Sequence, residues 1–317
     1  MSDSKVYFID TVHGVLQERL TKEGFVCIDI TKVKSEEIPL LIADASGLVI
    51  RSKISLTEEV LTTCKNLKFI ARSGSGLENI DVEFCKKNAI ICYNSPEGNR
   101  NAVAEHGLGM LLSLLNKITV SDLQIRKGIW QRESNRGEEL DGKTVGIIGY
   151  GNNGTSFAKK LRGFDVKVMA FDKYKSGFGD HFVHECTLDA IMEQADIVSF
   201  HVPLTSETKH IVNDEFIDKM AKPFILINLA RGRIVDTESL VKGLKTQKIK
   251  GACLDVHEYE QKSFEKFFEQ QVPDAFCYLT SSEKVILTPH IAGWTTESYY
   301  KLSNILADKI LADHSAH

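Results

Sequence analysis

The chain has 317 residues, 43% hydrophobic and 26% charged, with a formal net charge of −4 at neutral pH. That balance allows two globular cores and gives no general pull toward nucleic acid or an anionic membrane. The longest apolar run, residues 108–115, is too short for a bilayer; no secretory signal is expected, and seven scattered cysteines without metal spacing suit a reducing cytoplasm.

Through the first ninety-odd residues, short apolar runs alternate with helical stretches. Strands are expected at 5–10, 25–29, 47–50, 69–71 and 90–93, and helices at 12–23, 35–43, 57–64 and 82–87. Such alternation predicts a doubly wound parallel sheet. A loop at 94–99 breaks the rhythm, and one long helix is expected from 102 to about 125. Its apolar residues (Val103, Leu108, Met110, Leu111, Leu112, Leu114, Leu115, Ile118) cover too much of its circumference for one solvated face. Pairing of two copies through this helix is expected, with burial inside one subunit as the competing explanation.

The next stretch organises the rest of the chain. An apolar strand at 145–148 runs into Gly149-x-Gly151-x-x-Gly154, then a helical stretch at 155–162, then a second apolar strand at 166–171 ending in Asp172. Gly149 permits a tight turn, Gly151 lets backbone approach a pyrophosphate, and Gly154 allows close packing of helix on strand. Asn152 and Asn153, between the last two glycines, are expected to border the cofactor, and the free N–H groups and positive dipole end of the helix that follows face the phosphates. Asp172 is placed to accept hydrogen bonds from an adenosine ribose, so NAD is the expected cofactor. No metal is expected.

Further strands are expected at 197–200, 224–228, 251–255 and 285–287, with a closing helix at 296–312. The nucleotide motif therefore begins mid-chain. That predicts two Rossmann-like α/β domains, with a cofactor domain (99–290) inserted into a discontinuous substrate domain (1–98 plus 291–317). The segment 261–282 is rich in Glu, Gln, Lys and Phe and suggests a short amphipathic helix and a loop.

Three polar stretches follow apolar strands, where open α/β sheets place their ligands. They are Asn228–Gly232, Asp255–Glu260 and Thr288–Trp294, and together they supply a guanidinium, several carboxylates and an imidazole. A histidine suits the proton that accompanies alcohol oxidation by hydride transfer. Near the N-terminus, Arg51 and Lys53 flank Ser52 at a strand end, and with Arg72 they form a concentrated positive patch.

The motifs ARSGSGLENID (71–81), GYGNNG (149–154), HVPLT (201–205), NLARGRIVD (228–236), LDVHEYE (254–260) and TPHIAG (288–293) stand in the order found in D-isomer-specific 2-hydroxyacid dehydrogenases. The chain resembles that family along nearly its whole length. The resemblance implies that Arg231, Glu260 and His290 are the catalytic trio, with Glu260 fixing the imidazole and Arg231 forking the substrate carboxylate. It implies that Asp255 receives the nicotinamide carboxamide and that His201, Pro203, Ala230 and Gly293 flank the cofactor. It also implies that Ser73 and Gly74 offer backbone N–H groups to a substrate carboxylate.

Arg51, Ser52 and Arg72 resemble the phosphate-binding positions of 3-phosphoglycerate dehydrogenases, and Arg132 a position that reaches the partner subunit's substrate. The expected reaction is therefore NAD-dependent interconversion of 3-phosphoglycerate and 3-phosphohydroxypyruvate, which opens serine biosynthesis. The alternatives are a glyoxylate or hydroxypyruvate reductase and a dinucleotide-sensing, co-repressor-like protein. Two features depart from the family pattern: Gln261 stands where proline is usual, and the stretch from Glu260 to His290 is long. A regulatory domain is not expected after the closing helix.

Overall fold

The computed structural model describes residues 4–260 and 272–314. They fold as two compact units, residues 4–99 with 294–314 and residues 100–260 with 272–293.

The first unit carries β1 (Lys5–Phe8), β2 (Val26–Asp29), β3 (Gly47–Ile50), β4 (Phe69–Arg72) and β5 (Ile91–Asn94), all parallel in the order β2-β1-β3-β4-β5. Alternate residues of each strand serve opposite faces, as the pleat requires. Val6 and Phe8 pack with Leu16, Leu20 and Leu306, whereas Tyr7 and Ile9 pack with Ile38, Ile42 and Leu61. Both faces are covered, which is why these strands read as continuous apolar runs rather than alternating ones. Each fully buried Leu or Ile contributes on the order of 1.5–3 kcal/mol.

The second unit carries β6 (Thr144–Ile148), β7 (Lys167–Phe171), β8 (Val183–Glu185), β9 (Ile197–Phe200), β10 (Phe224–Asn228), β11 (Ile249–Leu254) and β12 (Val285–Leu287). Their order is β12-β11-β10-β9-β6-β7-β8, again parallel. The order reverses at β6, between β9 and β7, and ligands of doubly wound sheets bind at the carboxyl ends of such strands. Strand β8 and the helices Leu188–Gln194, Asp214–Lys219 and Thr237–Lys245 were not expected from the sequence. Each of these helices opens on a side-chain cap, from Thr187, Asn213 and Asp236.

The expected long helix is instead two, Pro96–Leu115 and Ile118–Arg126. Lys117 sits between them in the left-handed region, φ +51°. No glycine or proline marks this break, so the apolar pattern runs straight through it. Val103, Met110, Leu111 and Leu115 are buried in the second unit's own core beside Leu140 and Phe157. Burial inside one subunit therefore accounts for much of the apolar circumference of Pro96–Leu115. The helix Ile118–Arg126 differs: none of its residues is buried, and Ile118, Leu123 and Ile125 are each more than half exposed.

In the segment read as a helix and a loop, Asp274–Ser281 is helical. Residues 261–271 lie outside the described residues. No helix among the described residues is long and apolar enough to cross a membrane.

Candidate active site

The glycine-rich loop leaves β6 at Gly149, which has φ +92°. A Cβ there would press on the carbonyl of His201, at 2.7 Å, so only glycine allows this turn to lie against the end of β9. A Cβ on Gly154 would overlap the Gly149 carbonyl, whereas around Gly151 there is open space to 4 Å. That space lies at the N-terminus of the helix Asn152–Leu161, where unpaired N–H groups favour an anion. The Asn153 side-chain oxygen is buried there without a partner among the described residues, and Asn152 accepts from Arg100. The loop thus fits a dinucleotide pyrophosphate.

Asp172 follows β7 and fixes this loop. Its Oδ2 accepts the Tyr150 N–H at 2.8 Å and its Oδ1 the Tyr174 N–H at 2.9 Å. The neighbouring Lys173 is drawn to Glu207, 2.6 Å away, while Lys175 donates to the Tyr150 carbonyl at 3.4 Å. After β9, His201 holds Ser199 Oγ at 2.8 Å and lies beside the Phe157 ring. Burial pushes its pKa down to about 4, so the ring is neutral near pH 7. Pro203 lends its carbonyl to the Thr208 hydroxyl.

Arg231 ends the turn after β10. The fully buried Asn228 shapes that turn, accepting the Ala230 N–H and donating to the Arg231 carbonyl. The Arg231 Nη1 donates to the Ala230 carbonyl at 2.7 Å. Gly232 then packs so tightly on the backbone of His257 and Glu258 that a Cβ would overlap it. This contact holds the arginine turn against the turn after β11.

Glu260 and His290 are in direct contact, Glu260 Oε2 to His290 Nδ1 at 2.8 Å. The other Glu260 oxygen takes the His257 backbone N–H. The His257 Nε2 is 2.9 Å from the Thr288 carbonyl, which only accepts, so this nitrogen carries the proton. Glu258 belongs to a different set, bonded to the Thr237 N–H and 2.8 Å from His210 Nε2. A carboxylate on Nδ1 fixes the tautomer of His290, directing Nε2 toward whatever is protonated or deprotonated.

Asp255, 1% exposed, accepts the N–H groups of Ile291 and Ala292 and the Thr288 hydroxyl, and Gly293 follows this turn. Asp255 therefore has a local role that the sequence did not suggest. Thr288 itself, His106 and His257 were also not singled out as site residues. Thr288 and His257 lie inside the quoted motifs, and His106 carries no signal of its own.

The cationic positions of the first unit cluster at the ends of β3 and β4. Arg51 stacks on Trp294, its guanidinium carbon 4.0 Å from the ring centroid. Its backbone N–H bonds Asp10, and its carbonyl accepts from Arg72 Nε at 3.3 Å and Asn79 at 3.1 Å. Arg72 is 8% exposed, and a Cβ on Gly74 would sit 2.5 Å from its Nη1. Ser73 is buried with its hydroxyl unpartnered among the described residues. Lys53 donates through Nζ to the Thr31 carbonyl at 2.5 Å, and Ser52 lies between them, half-buried. Arg132 is exposed on the second unit.

Residues 108–292 match the family model described as D-isomer specific 2-hydroxyacid dehydrogenase, NAD binding domain. The hydroxypyruvate reductase of Thermotoga maritima is 35% identical over 99% of both chains. The chain belongs to the D-isomer-specific 2-hydroxyacid dehydrogenases. Among its relatives, the D-3-phosphoglycerate dehydrogenase of Archaeoglobus fulgidus is 32% identical over 97% of this chain, which spans 56% of that relative's length. The D-lactate dehydrogenase of Aquifex aeolicus, solved with NAD and lactic acid, superimposes with a TM-score of 0.83 at 28% identity, covering 98% and 96% of the two chains. Within the family the second unit is the NAD-binding part, and the glycine cradle at Gly151 fits that cofactor's pyrophosphate.

Proposed function

We propose that this chain is an NAD-dependent dehydrogenase interconverting 3-phosphoglycerate and 3-phosphohydroxypyruvate, the step that opens serine biosynthesis. The observation that supports the substrate is the pair Arg51 and Arg72, joined by a hydrogen bond at the ends of β3 and β4. Arginine's planar fork suits phosphate and carboxylate. Bound nicotinamide supplies or accepts the hydride. His290 gives up a proton to the carbonyl oxygen during reduction and takes one back during oxidation. Glu260 holds the ring for both steps. Arg231 is assigned to the substrate carboxylate beside the reacting carbonyl, and the Ser73 and Gly74 backbone offers N–H groups suited to a carboxylate. Ser52, Lys53 and Arg132 complete the substrate set.

A second reading, reduction of hydroxypyruvate or glyoxylate, is favoured by two observations. The Lys53 ammonium is engaged by the Thr31 carbonyl, and a relative that matches over 99% of both chains is named a hydroxypyruvate reductase. A turnover assay with NADH against phosphohydroxypyruvate, hydroxypyruvate, glyoxylate and pyruvate decides between them. No turnover on any of the four would leave a dinucleotide-sensing role instead.

Cofactor choice favours NADH. Asp172 repels a 2′-phosphate, and Glu207 neutralises the nearest lysine, Lys173. We expect kcat/KM with NADH to exceed that with NADPH by about tenfold or more, because one unfavourable charge contact of about 1.4 kcal/mol is tenfold. Equal values would show that Lys175 outweighs Asp172.

The chain also forms a homodimer in this reading. Leu123, one of the exposed apolar residues of Ile118–Arg126, lines a groove of about 520 Å³ with Leu114, Val120, Ile129, Val285 and Ile286, among polar residues such as Lys117, Gln124 and Glu283. Such a surface on one subunit is suited to a second copy. Light scattering at micromolar concentration is expected to give about twice the 35.4 kDa chain mass; a monomer mass would refute pairing.

A further inference from the structure

We propose that Thr288 and His106 are positioning residues for His290, acting through the Asp255 carboxylate. His290 stands in the left-handed region at φ +55°. A residue with a Cβ is rare there and stays only where its surroundings over-determine it.

Asp255 supplies that constraint. Its carbonyl accepts the His290 N–H at 2.8 Å. Its carboxylate takes the next two backbone N–H groups, Ile291 on Oδ1 and Ala292 on Oδ2, each at 2.8 Å. One buried aspartate thus grips three successive peptide groups, and the imidazole leaves the backbone in the direction those three bonds dictate.

The carboxylate is itself aimed from the other side. The Thr288 hydroxyl donates to Oδ1 at 2.5 Å. Having spent its one proton there, Thr288 Oγ1 accepts from His106 Nε2, 3.0 Å away. His106 Nε2 is also 3.6 Å from the same carboxylate oxygen. The chain of donors therefore runs from the imidazole on the helix Pro96–Leu115 to a hydroxyl, to a buried carboxylate, and on to the backbone that carries His290. A polar chain that ends on a buried carboxylate fixes a single arrangement when every member is satisfied. Removing Thr288's hydroxyl leaves Asp255 short of a donor and His106 short of an acceptor.

This inference rests on His290 as the acid/base, and the test separates the two. Thr288→Val keeps the shape of the side chain and removes the hydroxyl. We expect kcat for keto-acid reduction to fall about tenfold, as one lost bond to a buried charge implies. The NADH Kd, read by fluorescence, stays within about twofold of the parent. Thr288→Ser restores kcat. His106→Phe, which removes only the outer donor, lowers kcat about threefold with the same unchanged NADH Kd.

Wild-type kcat in Thr288→Val overturns the proposal, as does a Ser variant no better than Val. So does an NADH Kd that weakens as much as kcat falls, because that would be a cofactor-contact or general structural effect. If Thr288→Val does not fold, the Ser and His106→Phe variants decide on the same criteria. The parallel variant His290→Asn tests the underlying reading: full activity there refutes the acid/base assignment, whatever Thr288 does.

Discussion

Replacing His290 by Asn lowers turnover of 2-keto acid reduction by roughly 10²–10⁴-fold, the usual contribution of a positioned general acid, while NADH affinity changes little. The expectation follows from how the ring is held. Glu260 binds Nδ1 at 2.8 Å, and its other oxygen is tied to the His257 backbone, so the carboxylate cannot swing away. Asparagine keeps a polar group of similar reach but neither gives nor takes a proton near neutral pH. The backbone bonds from Asp255 to residues 290–292 do not involve the imidazole and survive the change. Steady-state kinetics together with NADH titration checks this, and near wild-type turnover would remove His290 from the mechanism. Glu260→Gln is the companion measurement. It preserves shape but weakens the hold on Nδ1, and a loss of about tenfold in kcat is expected from one charge-assisted bond.

Arg51→Ala separates the candidate substrates. If Arg51 contacts a dianionic phosphate, the lost charge-assisted contact is worth about 1.5–3 kcal/mol. That corresponds to roughly 10–100-fold in kcat/KM for phosphohydroxypyruvate. Hydroxypyruvate and glyoxylate carry no phosphate and are expected to change less than about twofold. The substitution removes only the side chain. The backbone bonds of residue 51 to Asp10, Arg72 and Asn79 remain, so the ends of β3 and β4 keep their shape. The exposed Trp294 loses its stacked guanidinium, a change felt equally by every substrate. An equal fall on glyoxylate and phosphohydroxypyruvate would therefore remove the phosphate reading and leave the general 2-hydroxyacid activity standing.

The two sheets were legible because their central strands, such as β3, β9 and β10, are buried on both faces and flanked by turn residues. Strands β3, β9, β10 and β12 begin and end where apolar runs do. The nucleotide loop was legible because three glycines recur at one spacing: Gly149 and Gly154 are barred from a side chain, and Gly151 faces open space. The break at Lys117 was not legible, since both flanking segments are apolar and the left-handed residue is a lysine. Nor could sequence pair His106 with Thr288, which lie 182 positions apart. Their meeting depends on the helix Pro96–Leu115 lying over the end of β12, a tertiary fact without local trace. Arg51 on Trp294 is of the same kind. The role of Asp172 was half visible: its place at the end of β7 follows from the motif, but its grip on the Tyr150 N–H does not.

That grip bears on how nucleotide enters. With Asp172 bonded to the Tyr150 and Tyr174 N–H groups, the loop around Gly151 is held by the protein's own hydrogen bonds. Association then immobilises little new backbone, and the entropic penalty of ordering a loop, which weakens many phosphate sites, is largely absent. Encounter with NAD should accordingly proceed in one kinetic phase whose rate scales with nucleotide concentration, without a slow folding-over step that saturates.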